Sequence, residues 1–352
     1  MAKRETAERN YFVGRHSIKP SEKDPESKQY RGISEKGVLV ARESAHGILQ
    51  DMEKSAPGTV MYLGGASDAV RTKSTAQVYG DELKKLVRGR DNYLVITKDD
   101  VSKRHMGYSE IVRELKRIVE QNPDKKIIID LPLGLNQLSI IKGRWFTPDG
   151  KPTEYTAKLI AKHGNNHNES MKEWIASQGS PVDGVTGPSP VDVAREYQKG
   201  LGRLEKFSSK FIGKNRPHKT GLVGHSYDAD VFLTYLAGEG KVDLPTFERV
   251  SSGKGMIKES EMASVRIRPN NRATISYRGK DSIVNLENIA AAVMILSFAI
   301  SVLFFSKLTA NVIGVKNTSS SYGFGLFILS LISAFSLIYL KNRKNKKNFE
   351  FY

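Results

Sequence analysis

Five short apolar runs, at residues 11–14, 60–64, 93–97, 126–131 and 221–224, most restrict the architecture open to this chain of 352 residues. Runs of this length suit buried strands and are too short for helices. Between the first two, Val38, Ala41, Ala45, Ile48, Leu49 and Met52 recur at helical spacing, with Ser34 placed to cap the helix. The same spacing predicts helices over 75–87, 109–121 and 191–211. The alternation of strands with helices predicts an α/β fold over residues 1–240, a three-layer sandwich with a mainly parallel sheet. Residues 134–187 mix Gly, Pro, Asn and His irregularly and read as an insertion or cap holding turns and a helix or two. Residues 241–285 read as a linker.

Two later stretches differ in kind. Residues 289–306 and 322–340 carry no charge and are apolar on every side. Each approaches the roughly 20 residues that cross about 30 Å of hydrocarbon as a helix. Two transmembrane helices within 286–340 are therefore expected, in preference to a pair of buried core helices, whose apolar character is usually confined to one face. Lys341, Arg343, Lys344, Lys346 and Lys347 follow the second run, and Arg266, Arg268, Arg272, Arg278 and Lys280 precede the first. Only Lys307 and Lys316 lie between them. Positive residues concentrate on the cytoplasmic side, so the large domain, both termini and the basic tail 341–352 are expected in the cytoplasm. Residues 1–10 are charged with no apolar stretch behind them, unlike a secretory signal. No acid or base sits within either run, which disfavours a transport path.

The formal net charge is +17. Residues 281–352 hold seven Lys or Arg against three acids, so +4 lies there and +13 before it. The excess is spread out, with no basic stripe interleaved with aromatics. No nucleic-acid partner is expected, and proximity to anionic lipid accounts for the balance equally well. The chain has no cysteine, which excludes disulfides, thiolate catalysis and cysteine-ligated zinc.

The chemistry gathers at strand ends. The first run leads into Gly14-Arg15-His16-Ser17, and the second into Gly64-Gly65-Ala66-Ser67 with Arg71, Thr75 and Ala76 beyond. The last leads into Gly224-His225-Ser226. Two Arg and two His thus fall at the carboxyl ends of three strands, the edge where open α/β sheets bind ligands. A guanidinium fork grips two oxygens of a phosphoryl dianion. A neutral imidazole can attack phosphorus and hold the group covalently. A second imidazole can donate a hydrogen bond as charge builds, and an acid must protonate the leaving oxygen. This scheme requires no metal or other cofactor. His163 and His167, amid Asn165, Asn166 and Asn168, offer a metal cluster as a rival reading, but Gly164 and the Asn run favour a loop.

In this combination the chain resembles the histidine phosphatase superfamily, the phosphoglycerate-mutase-like fold. Arg15-His16-Ser17 is similar to its Arg-His-Gly hallmark, and Ile33-Ser34-Glu35-Lys36-Gly37 to its Leu-Thr-x-x-Gly. Ser67, Arg71, Thr75 and Ala76 match Ser-x-x-x-Arg-x-x-x-Thr-Ala in spacing. Ser189, Asp192 and Arg195 echo a further helix start, and His225-Ser226 the second His-Gly. The resemblance covers roughly residues 10–240. It implies that His16 is the phosphorylated nucleophile, with Arg15, Arg71 and His225 completing a phosphate pocket that Ser17, Ser67 and Ser226 help to line. It implies a proton donor at Asp100, with Asp99 and Asp228 as alternatives. Ser17 and Ser226 depart from the glycines of the pattern, and a side chain there could narrow the pocket.

The expected activity is hydrolysis of a phosphomonoester through a phosphohistidine, by an enzyme anchored in a bilayer. The alternatives are a membrane-tethered module that binds or scaffolds a phosphorylated ligand with little turnover, and a phosphomutase or phosphotransferase.

Overall fold

The computed structural model describes residues 9–65, 69–102, 108–131, 145, 151–164, 166–213, 216–268 and 272–286. The apolar runs 289–306 and 322–340, the tail 341–352 and residues 134–144, 146–150 and 165 of the insertion lie outside them. Among the described residues no helix is long and apolar enough to cross a membrane.

The chain runs β1 (Arg9–Arg15), α1 (Glu35–Glu53), β2 (Val60–Gly65), α2 (Val70–Leu86), β3 (Tyr93–Thr97), α3 (Lys98–Ser102), α4 (Tyr108–Gln121) and β4 (Lys126–Asp130). It continues with α5 (Glu154–His163), α6 (His167–Ser177), α7 (Pro190–Ile212), β5 (His218–Gly224), α8 (Ser226–Ala237), α9 (Leu244–Ser251), β6 (Met262–Ile267), β7 (Arg272–Tyr277) and β8 (Lys280–Asn285). The strands form one sheet in the order β3-β4-β2-β5-β1-β6-β7-β8. β1 to β5 pair in parallel, and β6, β7 and β8 extend the sheet antiparallel.

Every residue of β2 is buried, the mark of a parallel strand covered on both faces. Its alternate side chains serve opposite cores. Met61 and Leu63 join Ala41, Ile48 and Leu49 of α1 and Val78, Tyr79 and Leu83 of α2. Tyr62 turns the other way, with its ring 5.6 Å from Phe207 and 5.8 Å from Phe211 of α7. Ser34 caps α1, accepting from the Gly37 amide at 3.0 Å. Ser189 caps α7, with Pro190 in the first turn, where its missing N–H costs nothing. The insertion supplies α5 and α6.

The stretch 241–285 departs from the linker expected of it. It holds α9 and three strands of the main sheet. Buried Ala263, Val265, Ala273, Ile275, Tyr277 and Val284 alternate with exposed or half-exposed residues. Small side chains and interspersed Arg thin that alternation, so no apolar run announces these strands. β7 and β8 meet in a two-residue turn at Arg278 and Gly279, with φ of 51° and 74°, the positive pair of a primed hairpin turn.

The carboxyl ends of β1, β2 and β5 share one edge of the sheet, where Gly14 pairs with Val223 and Gly64 with Leu222. β8 starts at that edge, with Lys280 opposite Tyr277. It ends at the far edge, with Asn285 opposite Arg272.

Candidate active site

His16 follows β1 directly, and its amide donates to the Gly224 carbonyl at 2.9 Å, joining the ends of β1 and β5. One residue on, His225 occupies the N-cap of α8. The two imidazoles meet edge to face, with centroids 5.1 Å apart. Arg15 ends β1, and Arg71 is in the first turn of α2.

His16 Nδ1 lies 2.7 Å from the Ser17 carbonyl oxygen. A carbonyl only accepts, so Nδ1 carries the proton and Nε2 keeps its lone pair. Burial, the neighbouring His225 and Arg71 lower the His16 pKa to about 2. Burial, then Arg71 and Arg15, lower that of His225 to about 3. Both rings are therefore neutral at ordinary pH, the state in which an imidazole is a nucleophile.

One of the cations is under the same pressure. Burial, then the charge of Arg15, lowers the Arg71 pKa. A guanidinium disfavoured by burial and by a like charge beside it suits an anionic ligand. Arg15 Nε and Arg71 Nε are buried and have no hydrogen-bond partner among the described residues. A buried donor without an acceptor costs about 1–3 kcal/mol, and a phosphoryl oxygen is the acceptor that suits a guanidinium best.

Ser17 faces away from this chemistry. Its hydroxyl donates to the Gly37 carbonyl at 2.6 Å, and its amide donates to Thr75 Oγ1 at 2.9 Å. Thr75 in turn donates to the Arg71 carbonyl at 2.8 Å. Ser17 thus tethers the His16 loop to α1 and, through Thr75, to the turn that carries Arg71. A Cβ on Gly37 would come 2.6 Å from the Ile18 carbonyl oxygen, so the glycine of the Ile33–Gly37 motif permits a close backbone approach. Ser226 opens α8 and is buried. Ser67 lies outside the described residues.

Two of the three carboxylates expected as proton donors, Asp99 and Asp100, follow β3 rather than β1 or β5. Asp100 accepts from the Thr97 amide at 2.8 Å and from Lys84 at 2.6 Å. Burial alone would raise its pKa, but the Lys84 and Thr97 bonds outweigh it and the pKa falls. β3, from which Asp100 follows, is the edge strand, four positions from β1, or about 19 Å at the usual strand spacing. Asp99 is exposed beside it. Asp228 is buried in α8 and accepts from Trp145 Nε1 at 3.2 Å. Trp145 meets Trp174 edge to face and Tyr227 at a tilt, with centroids 4.6 and 4.9 Å apart, fastening the insertion beside His225. His163 pairs with Glu173, and His167 begins α6, where burial, Arg15 and Lys19 lower its pKa. Among the described residues no three His, Cys, Asp or Glu are grouped to hold a metal ion.

Sequence reasoning passed over a further set of residues. Arg15 donates to the Ile257 carbonyl at 3.1 Å and pairs with Glu259 at 2.7 Å. Both partners precede β6, in the presumed linker. The Arg278-Gly279 dipeptide between alternating stretches was the available sign of structure there.

No protein-family model matches the sequence, and no curated protein matches it. Solved structures resemble the chain distantly. A mycobacterial hydrolase aligns over 78% of this chain and 100% of its own, at 14% identity and a TM-score of 0.38. A mycobacterial glucosyl-3-phosphoglycerate phosphatase aligns over 73% and 89%, at 14% identity and a TM-score of 0.35. SixA from Agrobacterium tumefaciens aligns over 73% and 90%, at 12% identity and a TM-score of 0.27. Likeness this slight carries no weight for function, which rests on the site's own geometry.

Proposed function

We propose that the chain is a phosphatase that hydrolyses a phosphomonoester through a phosphohistidine at His16, without a metal. The observation that carries this reading is the Nδ1 bond to the Ser17 carbonyl, which leaves Nε2 unprotonated beside two arginines with unpaired buried donors. In this scheme Arg15 and Arg71 hold the phosphoryl oxygens. Nε2 forms a bond to phosphorus as the bond to the leaving oxygen breaks, and that oxygen takes a proton. His225 donates to the phosphoryl group as charge develops. Water then cleaves the N–P bond, releasing inorganic phosphate and restoring the imidazole.

A second reading is favoured by the placement of Asp100 on Lys84 and Thr97, which leaves leaving-group protonation without an assigned carboxylate. The pocket would then bind a phosphorylated ligand with little turnover. Phosphomutase or phosphotransferase activity would use the same phosphohistidine with a different acceptor.

Membrane anchoring belongs to the same proposal. Its support is the pair of uncharged runs 289–306 and 322–340 with their basic flanks, a charge distribution that favours a cytoplasmic phosphatase domain. Resistance of the full chain to alkaline extraction from membranes tests it, and quantitative release would overturn it.

The activity is tested on the full chain in detergent with p-nitrophenyl phosphate and EDTA, beside His16→Ala. Turnover in the parent, with an acid-labile phosphoenzyme that His16→Ala lacks, is the expected result. Vanadate binding with no phosphoenzyme would favour the binding module. Turnover lost to EDTA and restored by a metal ion would refute the metal-free scheme.

A further inference from the structure

Between α9 and β6 the segment Gly255 to Glu261 crosses the end of β1. It contacts the pocket through backbone and side chain together. Ser260 N–H donates to the His16 carbonyl at 3.4 Å, and Arg15 N–H donates to the Glu261 carbonyl at 3.2 Å. The Arg15 guanidinium donates to the Ile257 carbonyl at 3.1 Å and pairs with the Glu259 carboxylate at 2.7 Å.

The segment is itself held from two sides. Asp230, buried in α8 five residues past His225, accepts from the Ile257 amide at 3.0 Å. Arg278 donates to the carbonyls of Ser251, Gly255 and Met256 at 2.8, 2.9 and 2.9 Å, and pairs with both oxygens of Glu261. Its side chain is only 5% exposed. Arg278 sits at the first central position of the β7–β8 turn with φ of 51°, where Asn, Asp or Gly is the comfortable choice. A left-handed non-glycine residue costs about 1–2 kcal/mol. Here the strained residue is the one whose fork gathers five acceptor oxygens, which the shorter residues cannot reach.

We propose that Gly255 to Glu261 is a positioning strap for the phosphate pocket: Ile257 and Glu259 fix the Arg15 guanidinium, and Arg278 fixes the strap. Arg278 and Glu259 are positioning residues that act through Arg15, and the β7–β8 hairpin is a working part of the site. Two fixed terminal nitrogens leave the buried Nε in one place for a phosphoryl oxygen, which lowers the ordering cost of binding. The inference rests on the phosphate-pocket reading, not on turnover.

The test uses the full chain in detergent and measures the vanadate dissociation constant by calorimetry, with KM and kcat where turnover occurs. Glu259→Gln and Glu259→Ala both remove the charge, but only Gln keeps an acceptor for Arg15. Vanadate is expected to bind at least threefold more weakly to the Ala variant than to the Gln variant. Arg278→Lys keeps the charge and loses the fork, and is expected to weaken vanadate at least fivefold and to raise KM. Each ratio should collapse to within twofold in an Arg15→Ala background, because residues that act through Arg15 are not additive with its loss. Equal affinities for the Ala and Gln variants, or ratios that persist without Arg15, would overturn the strap. If Arg278→Lys does not fold, the Glu259 pair decides alone. Vanadate binding without turnover would sink the hydrolase reading and leave the strap to be judged on affinities. Absence of any binding to the parent chain would remove pocket and strap together.

Discussion

His16 and His225 stand edge to face, their ring planes at 72° and their centroids 5.1 Å apart. Burial, then His225 and the arginines, keeps His16 uncharged, and burial with Arg71 and Arg15 keeps His225 uncharged, so this small volume carries no third positive charge. One ring is then free to attack while the other donates to the oxygens of the same phosphoryl group. His225→Gln is expected to lower kcat by about 10²–10³-fold, the usual loss for one preorganised donor, while a phosphoenzyme still forms. Quench-flow trapping of the phosphoenzyme checks this. A kcat/KM within threefold of the parent would remove His225 from the reaction.

The lowered histidine pKa values make stability depend on acidity. In the unfolded chain these rings titrate near 6.5, and in the folded pocket near 2 and 3. Between those limits the unfolded state binds more protons, so stability falls as pH drops through 6.5. At pH 5 each ring should cost about 2 kcal/mol relative to pH 7.5. His225→Gln should lose less stability than the parent on that descent, by about the same amount, in urea unfolding at the two pH values. Parallel losses in the two proteins would contradict the assignment.

Asp230 works in the other direction. Burial outweighs its bond from Ile257 N–H and its charged neighbours and raises its pKa to about 7. A carboxyl with a raised folded pKa gives stability that declines as pH rises from about 4 through 7. Asp230→Asn keeps an acceptor for the amide and has no charge to bury. Its melting temperature is expected to gain on the parent at pH 8 by more than at pH 5. A gain that is equal at both would show that ionisation is not involved.

Gly37 and Ser17 form one joint of the site. Gly37→Ala would press a methyl group against the Ile18 carbonyl, and is expected to cost about 1–3 kcal/mol by overpacking. Ser17→Gly removes the bond to the Gly37 carbonyl and is expected to cost about 1 kcal/mol while the vanadate affinity of the folded fraction stays within threefold. Chemical denaturation beside vanadate titration separates the two effects. A large rise in affinity for Ser17→Gly would show that the serine narrows the pocket after all.

Asp100 gives a sharp mutational contrast. It caps the start of α3 from the edge of the sheet, so Asp100→Asn is expected to cost about 1 kcal/mol of stability and to leave kcat/KM within threefold. A hundredfold loss of kcat with unchanged KM would instead make it the proton donor.

The parallel strands were legible because burial on both faces turns a strand into a continuous apolar run, as in β2 and β4. Cap chemistry set helix starts at Ser34 and Ser189. The Arg15, His16, Arg71 and His225 set was legible because glycine-ended runs place their next residues at a shared edge. The strap was not. Glu259 has no periodic neighbour, and its bond to Arg15 joins residues 244 apart in sequence, so no local pattern carries it. β6 to β8 were missed because half-covered antiparallel strands mix Ala, Ser and Arg with their buried positions. For Asp100, distance along the sequence suggested the pocket, whereas strand order set it at the other end of the sheet.

The route by which the chain leaves the sheet has a mechanical consequence. β8 departs at Asn285, while the turn that carries Arg278 lies at the opposite end of the same strand. A pull on the chain beyond Asn285 would unzip β8 from β7 one pair at a time, starting at Arg272 and reaching Tyr277 last. Load applied at Asn285 across the sheet is met by that short ladder before it reaches the arginine turn, so the hairpin's far end yields first and the end that holds Arg278 last.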